Sequence, residues 1–326
     1  MNHPGRKTIS RNILVDGNNI IHRIFHVTKN QEPKISHGLQ TGLISGVLGT
    51  LGSWLRKTPD RGDICFFLDG KPVRRLELDP DYKKDRDRES IFKRSTVSLP
   101  DGFVAQSDFD VLIHILGLLG VKIFWHPEEE ADDLISSYVK NHPEDQFLII
   151  SSDRDFYQLI SDKVIQYRPG APGNNCFYDT DRVYSEGFKG ANVTPDKVRL
   201  YRALTGDTSD KIPGVPKLRK TVAAQLSQFL EPTSMYASGL HGCSLKERSR
   251  IQELKNRVEL NYVLLGFRHL KEFDKCELKT EKDHQTAEKI LDYFNIHDVD
   301  ISPYLGTGKP KTIITSDSLI DLNDLI

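Results

Sequence analysis

Two aspartates, Asp153 and Asp155, close the apolar run FLIISSDRDF, and two other apolar runs end the same way, NILVD at Asp16 and ICFFLD at Asp69. Carboxylates about 4 Å apart repel by about 4 kcal/mol at an effective dielectric near 20, so a chain that gathers several must offset the repulsion. More acids stand in EEEADD, with Glu130, Asp132 and Asp133, and in LTGDTSDKIPGVP, with Asp207 and Asp210. Taken singly, each group has a plain reading, because acids complement the dipole of a first helical turn and Asp-Gly is an ordinary turn. Taken together, Asp16, Asp69, Glu130, Asp132, Asp153, Asp155, Asp207 and Asp210 could face one crevice. Carboxylate oxygens suit hard ions such as Mg²⁺ or Mn²⁺, and no His/Cys set marks a zinc site. So many acids exceed the needs of one octahedral ion. Two ions about 4 Å apart are expected, the arrangement that serves phosphodiester cleavage.

The elements that must deliver these acids are legible from apolar patterning. NILVD, ICFFLD and FLIISSD read as strands buried on both faces of a parallel sheet, with VKIFW (121–125) a fourth and VIQYR (164–168) a fifth. Helical spacing follows over 39–56, where Leu39, Leu43, Val47, Leu51 and Leu55 recur every four residues, and over 104–119 and 131–141. This alternation predicts an α/β fold, in which ligands bind beyond the carboxyl ends of the strands. From about residue 190 the pattern turns helical, over 195–205, 217–230, 245–265 and 283–294. The last twenty residues carry no period and are expected to form a flexible tail.

Composition narrows the class further. The chain has 326 residues, 28% charged and 37% hydrophobic, and a formal net charge of −1, which excludes a uniformly basic nucleic-acid binder but not local patches. No secretory leader and no run of about 20 apolar residues is present. Cys65, Cys176, Cys243 and Cys276 lack C-x-x-C spacing and read as free thiols in a reducing cytoplasm. Neither GTGKPK nor the glycines near 170 fit a phosphate-cradling loop, which disfavours a nucleotide-driven motor or kinase.

VDGNN, FFLDG, DYKKDRD, EEEADD, ISSDRDF and LTGDTSDKIPGVP, in that order, resemble the 5′ nuclease family of flap endonucleases and 5′–3′ exonucleases over about residues 12 to 270. The likeness is to the bacterial or phage branch, and in a stand-alone form, since no polymerase module follows. It implies a PIN-like, mostly parallel sheet flanked by helices in residues 1–190, with a helical arch or gateway at about 71–103. It further implies a helix–three-turn–helix region gripping duplex DNA within 191–306, before a tail at 307–326. By position, Asp16, Asp69, Glu130 and Asp132 would hold one Mg²⁺, and Asp153, Asp155, Asp207 and Asp210 the second, with Mn²⁺ able to substitute; Asp133 would lie beside the site.

The stretch KPVRRLELDPDYKKDRDRESIFKR is dense in Lys and Arg, and most of it reads as an exposed, salt-bridged helix. Lys83 and Arg86 stand apart: three residues apart, they share one helical face and match the family's pair on the scissile phosphate, where cations stabilise developing charge. Tyr82 could stack on a frayed base or simply pack. After GVP, the family's hairpin reads Gly-x-Gly-x-Lys and meets duplex phosphate and a K⁺-type ion. Here Lys217 and Arg219 replace the glycines, so a glycine-permitted angle is expected to be lost, which counts against the ion site. Lys217, Arg219 and Lys220 could instead contact phosphates directly.

The resemblance thus implies a structure-selective 5′ nuclease of replication and repair, acting on 5′ flaps, nicks or ends and on RNA–DNA hybrids, as in RNA-primer removal. A monomer in the cytoplasm, bacterial or host, is expected, with no membrane partner and a possible docking of a replication protein on the tail. The rivals are a PIN-like ribonuclease and an inactive junction-binding protein.

Overall fold

The computed structural model describes residues 10–305 apart from 30, 31, 33, 59, 85–93 and 171–175. In chain order, β1 (Arg11–Asp16) leads into α1 (Gly17–Thr28), the hairpin β2/β3 (Ile35–Ser36, Leu39–Gln40) into α2 (Thr41–Lys57), and β4 (Arg61–Leu68) into α3 (Val73–Leu78). A second hairpin, β5/β6 (Arg94–Ser98, Val104–Ser107), precedes α4 (Asp108–Leu118), β7 (Lys122–Trp125), α5 (Ala131–Asn141), β8 (Gln146–Ile150), β9 (Val164–Tyr167) and β10 (Phe177–Tyr178). Beyond the short α6 (Thr180–Arg182) come α7 (Val198–Thr205), β11 (Gly206–Asp207), β12 (Ile212–Pro213) and α8 (Lys220–Ser227). The chain continues through α9 (Pro232–Ala237), α10 (Leu245–Glu253), α11 (Lys255–Leu264), β13 (Glu277–Leu278) and α12 (His284–Tyr293).

Seven strands form one sheet in the order β10-β9-β8-β1-β4-β7-β13. The five central strands are parallel, and β10 and β13 pair antiparallel at the two edges. Alternation sorts the side chains: Ile13 and Val15 of β1 join the layer of α1, α2 and α4, whereas Leu14 joins Phe67, Phe124, Leu134, Ile135 and Tyr138 beneath α5. Leu43, Val47, Leu51 and Leu55 are all buried on α2, as their spacing predicts. The four cysteines are free, and among the described residues no helix is long and apolar enough to cross a membrane.

Several boundaries differ from expectation, each for a local reason. The helix expected over 104–119 begins at Asp108, because Ser107 caps it by accepting the Asp110 amide at 3.2 Å, and Val104–Ser107 pairs with β5 instead. The 217–230 helix begins at Lys220, since Lys217 is left-handed at φ +54°. The 245–265 helix divides at Leu254 into α10 and α11. The region after 190 is helical but also returns β13 to the main sheet. Of the expected arch, residues 85–93 lie outside the described residues; the rest is α3, a turn at 80–84 and β5. The expected tail at 307–326 also lies outside them.

Candidate metal centre

β1 is the point where strand order reverses, with β4 on one side and β8 on the other. A crevice opens beyond the carboxyl ends at such a switch point. Asp16 is the last residue of β1, Asp69 follows β4, and Asp153 stands three residues past β8. Asp16 is buried and held by neutral donors: the Ser151 hydroxyl at 2.6 Å and the Asn19 amide at 3.2 Å. Burial first, then the nearby Asp69, pushes its carboxyl up to about 7, with Asp153 adding to the rise. Asp69 accepts the Ala131 amide at 2.8 Å, which fixes the start of α5 against the strand.

The pair that ends FLIISSDRDF is a turn. Asp153 accepts the Asp155 amide at 2.8 Å while its own amide donates to Ser151 Oγ at 3.1 Å. Asp155 then reaches Asp207 and Asp210, and one oxygen from each of the three lies within 4.8 Å of the others. Gly206, at φ +80°, ends α7 and turns the chain into Asp207; a Cβ there would press into the backbone of Ile212 and Gly214. Burial, followed by Asp153, raises the Asp155 carboxyl to about 8. Its Oδ1 is buried without a hydrogen bond, 3.4 Å from Arg202 Nη2. This all-oxygen trio with an orphaned buried acceptor fits a hard divalent cation.

Glu130 and Asp132 are held differently, by buried cations. Arg75 Nη1 donates to Glu130 at 2.6 Å, lies 3.5 Å from Asp132, and with Nη2 grips Asp133 at 2.7 and 3.0 Å. Lys83 Nζ donates to Glu130 at 2.6 Å and lies 3.7 Å from Asp210. Burial alone would raise Glu130; Lys83 and Arg75 hold it below the usual value. Asp132 and Asp133 stay raised, by burial, against the opposing pull of Arg75.

The eight expected acids are linked through their neighbours near the carboxyl end of the sheet. Asp155, Asp207 and Asp210 converge as one donor group. Asp153 interacts with both Asp16 and Asp155, and Glu130 and Asp132 gather around Arg75. Asp133 serves as the bidentate partner of Arg75.

Three expectations for other residues need correction. Tyr82 is only 3% exposed, and its hydroxyl donates to Glu130 at 3.1 Å and lies 3.4 Å from Asp210, so the ring is not available to stack on a base. Lys83 is not on a helix but in a turn at φ +51°, so the shared helical face with Arg86 does not apply on its side; Arg86 lies outside the described residues. Lys217 adopts the left-handed angle that a glycine would have provided, so that angle is kept, at a cost of about 1 kcal/mol. Lys217 is exposed, Lys220 donates to the Lys189 carbonyl at 3.2 Å, and Arg219 reaches Glu247 at 2.8 and 2.9 Å.

Sequence reading missed the internal cations. Arg75, taken with its neighbours as exposed, is 7% exposed, because it lies on α3 against the three acids at the start of α5. Arg202 donates to Asp207 from within the buried run Leu200–Leu204, and a lone cation among apolar residues was its signal.

Residues 11–187 match the family described as 5′-3′ exonuclease, N-terminal resolvase-like domain, and the chain belongs to that family. Its 7-stranded, mostly parallel sheet flanked by helices is the PIN-like fold of that class. It is 28% identical over 274 residues to a 5′-3′ exonuclease of Buchnera aphidicola subsp. Acyrthosiphon pisum (strain APS), covering 81% of this chain and 87% of that one. It is 29% identical over 220 residues to DNA polymerase I of Mycobacterium bovis (strain ATCC BAA-935 / AF2122/97), covering 67% of this chain but only 23% of the polymerase. Among solved structures, the bacteriophage T5 D15 protein co-crystallised with metal ions aligns with a TM-score of 0.61 at 20% identity, over 87% of this chain and 99% of that one. The catalytic core of Rad2 in complex with DNA substrate aligns with a TM-score of 0.53 at 15% identity, over 89% and 90%. These last two likenesses establish a shared fold.

Proposed function

We propose that this chain is a divalent-metal-dependent, structure-selective 5′ nuclease that hydrolyses DNA phosphodiesters at flaps, nicks and ends. The observation that carries the reading is the convergence of acids from distant segments on the carboxyl edge of the sheet, with Asp155, Asp207 and Asp210 within 4.8 Å. Asp16, Asp69 and Asp153 are the candidate ligands at the β1 end, and the Asp155 trio those of a second ion. When bound, Mg²⁺ or Mn²⁺ would supply a nucleophilic water at neutral pH and offset charge on the leaving oxygen.

The chain's own side chains do the rest. Lys83, reaching Glu130 and Asp210 from a turn on the rim, is positioned to meet a phosphate entering between them. Arg75 and Arg202 hold carboxylates in place from the interior. The exposed cations of the 214–220 hairpin, Lys217, Arg219 and Lys220, would serve as a surface that reads the duplex backbone. Products would carry 5′-phosphate and 3′-hydroxyl ends. RNA–DNA hybrids, a monomeric state, a cytoplasmic setting and roles in replication and repair complete the reading.

Purified protein incubated with a 5′-labelled flap duplex and Mg²⁺ should cut near the junction, and EDTA should stop it. Lys83→Ala should slow single-turnover cleavage with little change in affinity. Cleavage of single-stranded RNA alone would assign a ribonuclease instead, and junction binding without any cleavage an inactive binder.

A further inference from the structure

We propose that Arg257 and Asn261 of α11 are positioning residues that hold the 214–220 hairpin and the Tyr82–Lys83 turn in one frame and so set which phosphodiester is cut. The proposal rests on the nuclease reading above. Arg257 Nη1 donates to Asp79 Oδ2 at 2.8 Å. Asp79 is 8% exposed; its Oδ1 accepts the Asp81 amide at 3.1 Å and its carbonyl the Tyr82 amide at 3.0 Å. The carboxylate that Arg257 grips therefore shapes the turn carrying Tyr82 and Lys83. The next residue, Lys83, donates its amide to the Asp210 carbonyl at 3.2 Å.

One helical turn further on, Asn261 is 1% exposed. Its amide nitrogen donates to the Ala203 carbonyl at 3.0 Å and the Pro213 carbonyl at 2.8 Å. Ala203 lies near the end of α7, just before Asp207, and Pro213 is the residue before the hairpin. At the far end of α11, the Leu264 carbonyl accepts Arg75 Nε at 3.0 Å. Positions 257, 261 and 264 share one helical face, and α11 carries them over about 10 Å as a rigid rod. One helix thus touches the turn of Lys83, the approach to two carboxylates of the trio, the hairpin and the arginine behind Glu130. A duplex gripped at the hairpin is then held at a fixed distance from Lys83 and the acids.

A merely structural role would change stability or affinity; a positioning role changes where the cut falls. The test is single-turnover cleavage of a 5′-flap duplex with products resolved to one nucleotide, using Arg257→Gln and, from the other side of the pair, Asp79→Asn. Duplex affinity is expected to stay within about twofold while cuts spread to neighbouring phosphates and the rate falls about tenfold or more, because a misplacement of about 1 Å costs up to about 100-fold. Arg257→Lys should restore much of the sharp product. A single wild-type product at wild-type rate, or a rate loss matched by weaker duplex binding, overturns the proposal. Amide hydrogen exchange gives a readout independent of cleavage: duplex should slow exchange at 79–84 in wild type and not in Arg257→Gln, and equal protection in both also overturns it. A wild-type protein that cuts no flap sinks the nuclease reading, and the exchange result then still decides the strut.

Discussion

The two flanks of the acid edge are built on opposite electrostatic terms. On the β1 flank, Asp16 is steadied by a hydroxyl and an amide, both neutral, and its carboxyl is pushed up to about 7 by burial and by Asp69. On the α5 flank, Glu130 is steadied by Lys83 and Arg75, and although burial opposes them its carboxyl is held low. Burying a charge costs several kcal/mol unless it is paired, and the two flanks meet that cost differently. On the α5 flank Arg75 and Lys83 are shared among Glu130, Asp132 and Asp133, and burial still pushes Asp132 well above the usual carboxylate range. Asp16 and Asp155 are instead neutralised by protons, which a bound divalent ion would displace. Arg202 makes the trio intermediate, since it offsets part of the charge at Asp155 and Asp207.

The contrast can be broken most severely by removing a carboxylate that a bound ion would claim. Asp16→Asn or Asp155→Asn should lower single-turnover cleavage by about 10³-fold, on the scale of losing a dedicated charge-stabilising group, while flap binding persists in gel shifts. Loss of binding in step with cleavage would place those carboxylates in the scaffold instead. The α5 flank should respond in stability. Arg75→Ala leaves Asp133 buried without its cation and Glu130 with Lys83 alone, and should cost about 3–5 kcal/mol in urea denaturation. A cost under about 1 kcal/mol, the range of exposed pairs, would mean that water reaches those carboxylates freely.

Titration sharpens the comparison. Asp16 and Asp155 keep their protons in the fold up to about 7 and about 8. Unfolded, they release them near the ordinary value of about 4, so between these limits the folded chain binds more protons. Stability therefore falls as pH rises from about 4 toward 8. In EDTA the melting temperature should drop across that window; Asp155→Asn should flatten the fall and melt roughly 2–4 °C above wild type at the alkaline end, a shift of about 1 kcal/mol. A Tm that climbs with pH in EDTA would contradict the uncompensated state of these acids. The smallest effect belongs to Tyr82→Phe, which removes one hydroxyl donor to Glu130 and should cost about 1 kcal/mol without altering single-strand binding. A selective loss of oligonucleotide affinity would mean that the hydroxyl meets the bound strand.

Much of the fold was legible because the signals were local. Apolar runs marked β1, β4, β7, β8 and β9, and the helical spacing of Leu43, Val47, Leu51 and Leu55 marked α2. The acids were legible for the same reason, each standing just past a run or at a helix start. The β13 strand was not, because two residues, Glu277–Leu278, carry no periodicity and gain their state only by pairing with β7. The angle at Lys217 was misjudged, because a lysine that adopts a left-handed backbone at modest cost leaves no mark in the sequence.

By itself the sequence determined where carboxylates stand relative to strands and helix starts, since side-chain period and apolar run length mark those elements. Only the tertiary structure decided which of them meet a buried cation and which hold a proton instead. Arg75 meets Asp133 across 58 positions of sequence, and Ser151 meets Asp16 across 135. Such pairings depend on how strands are ordered and helices packed, and whether a charge is paired is a property of distance and burial that no local stretch of residues can encode.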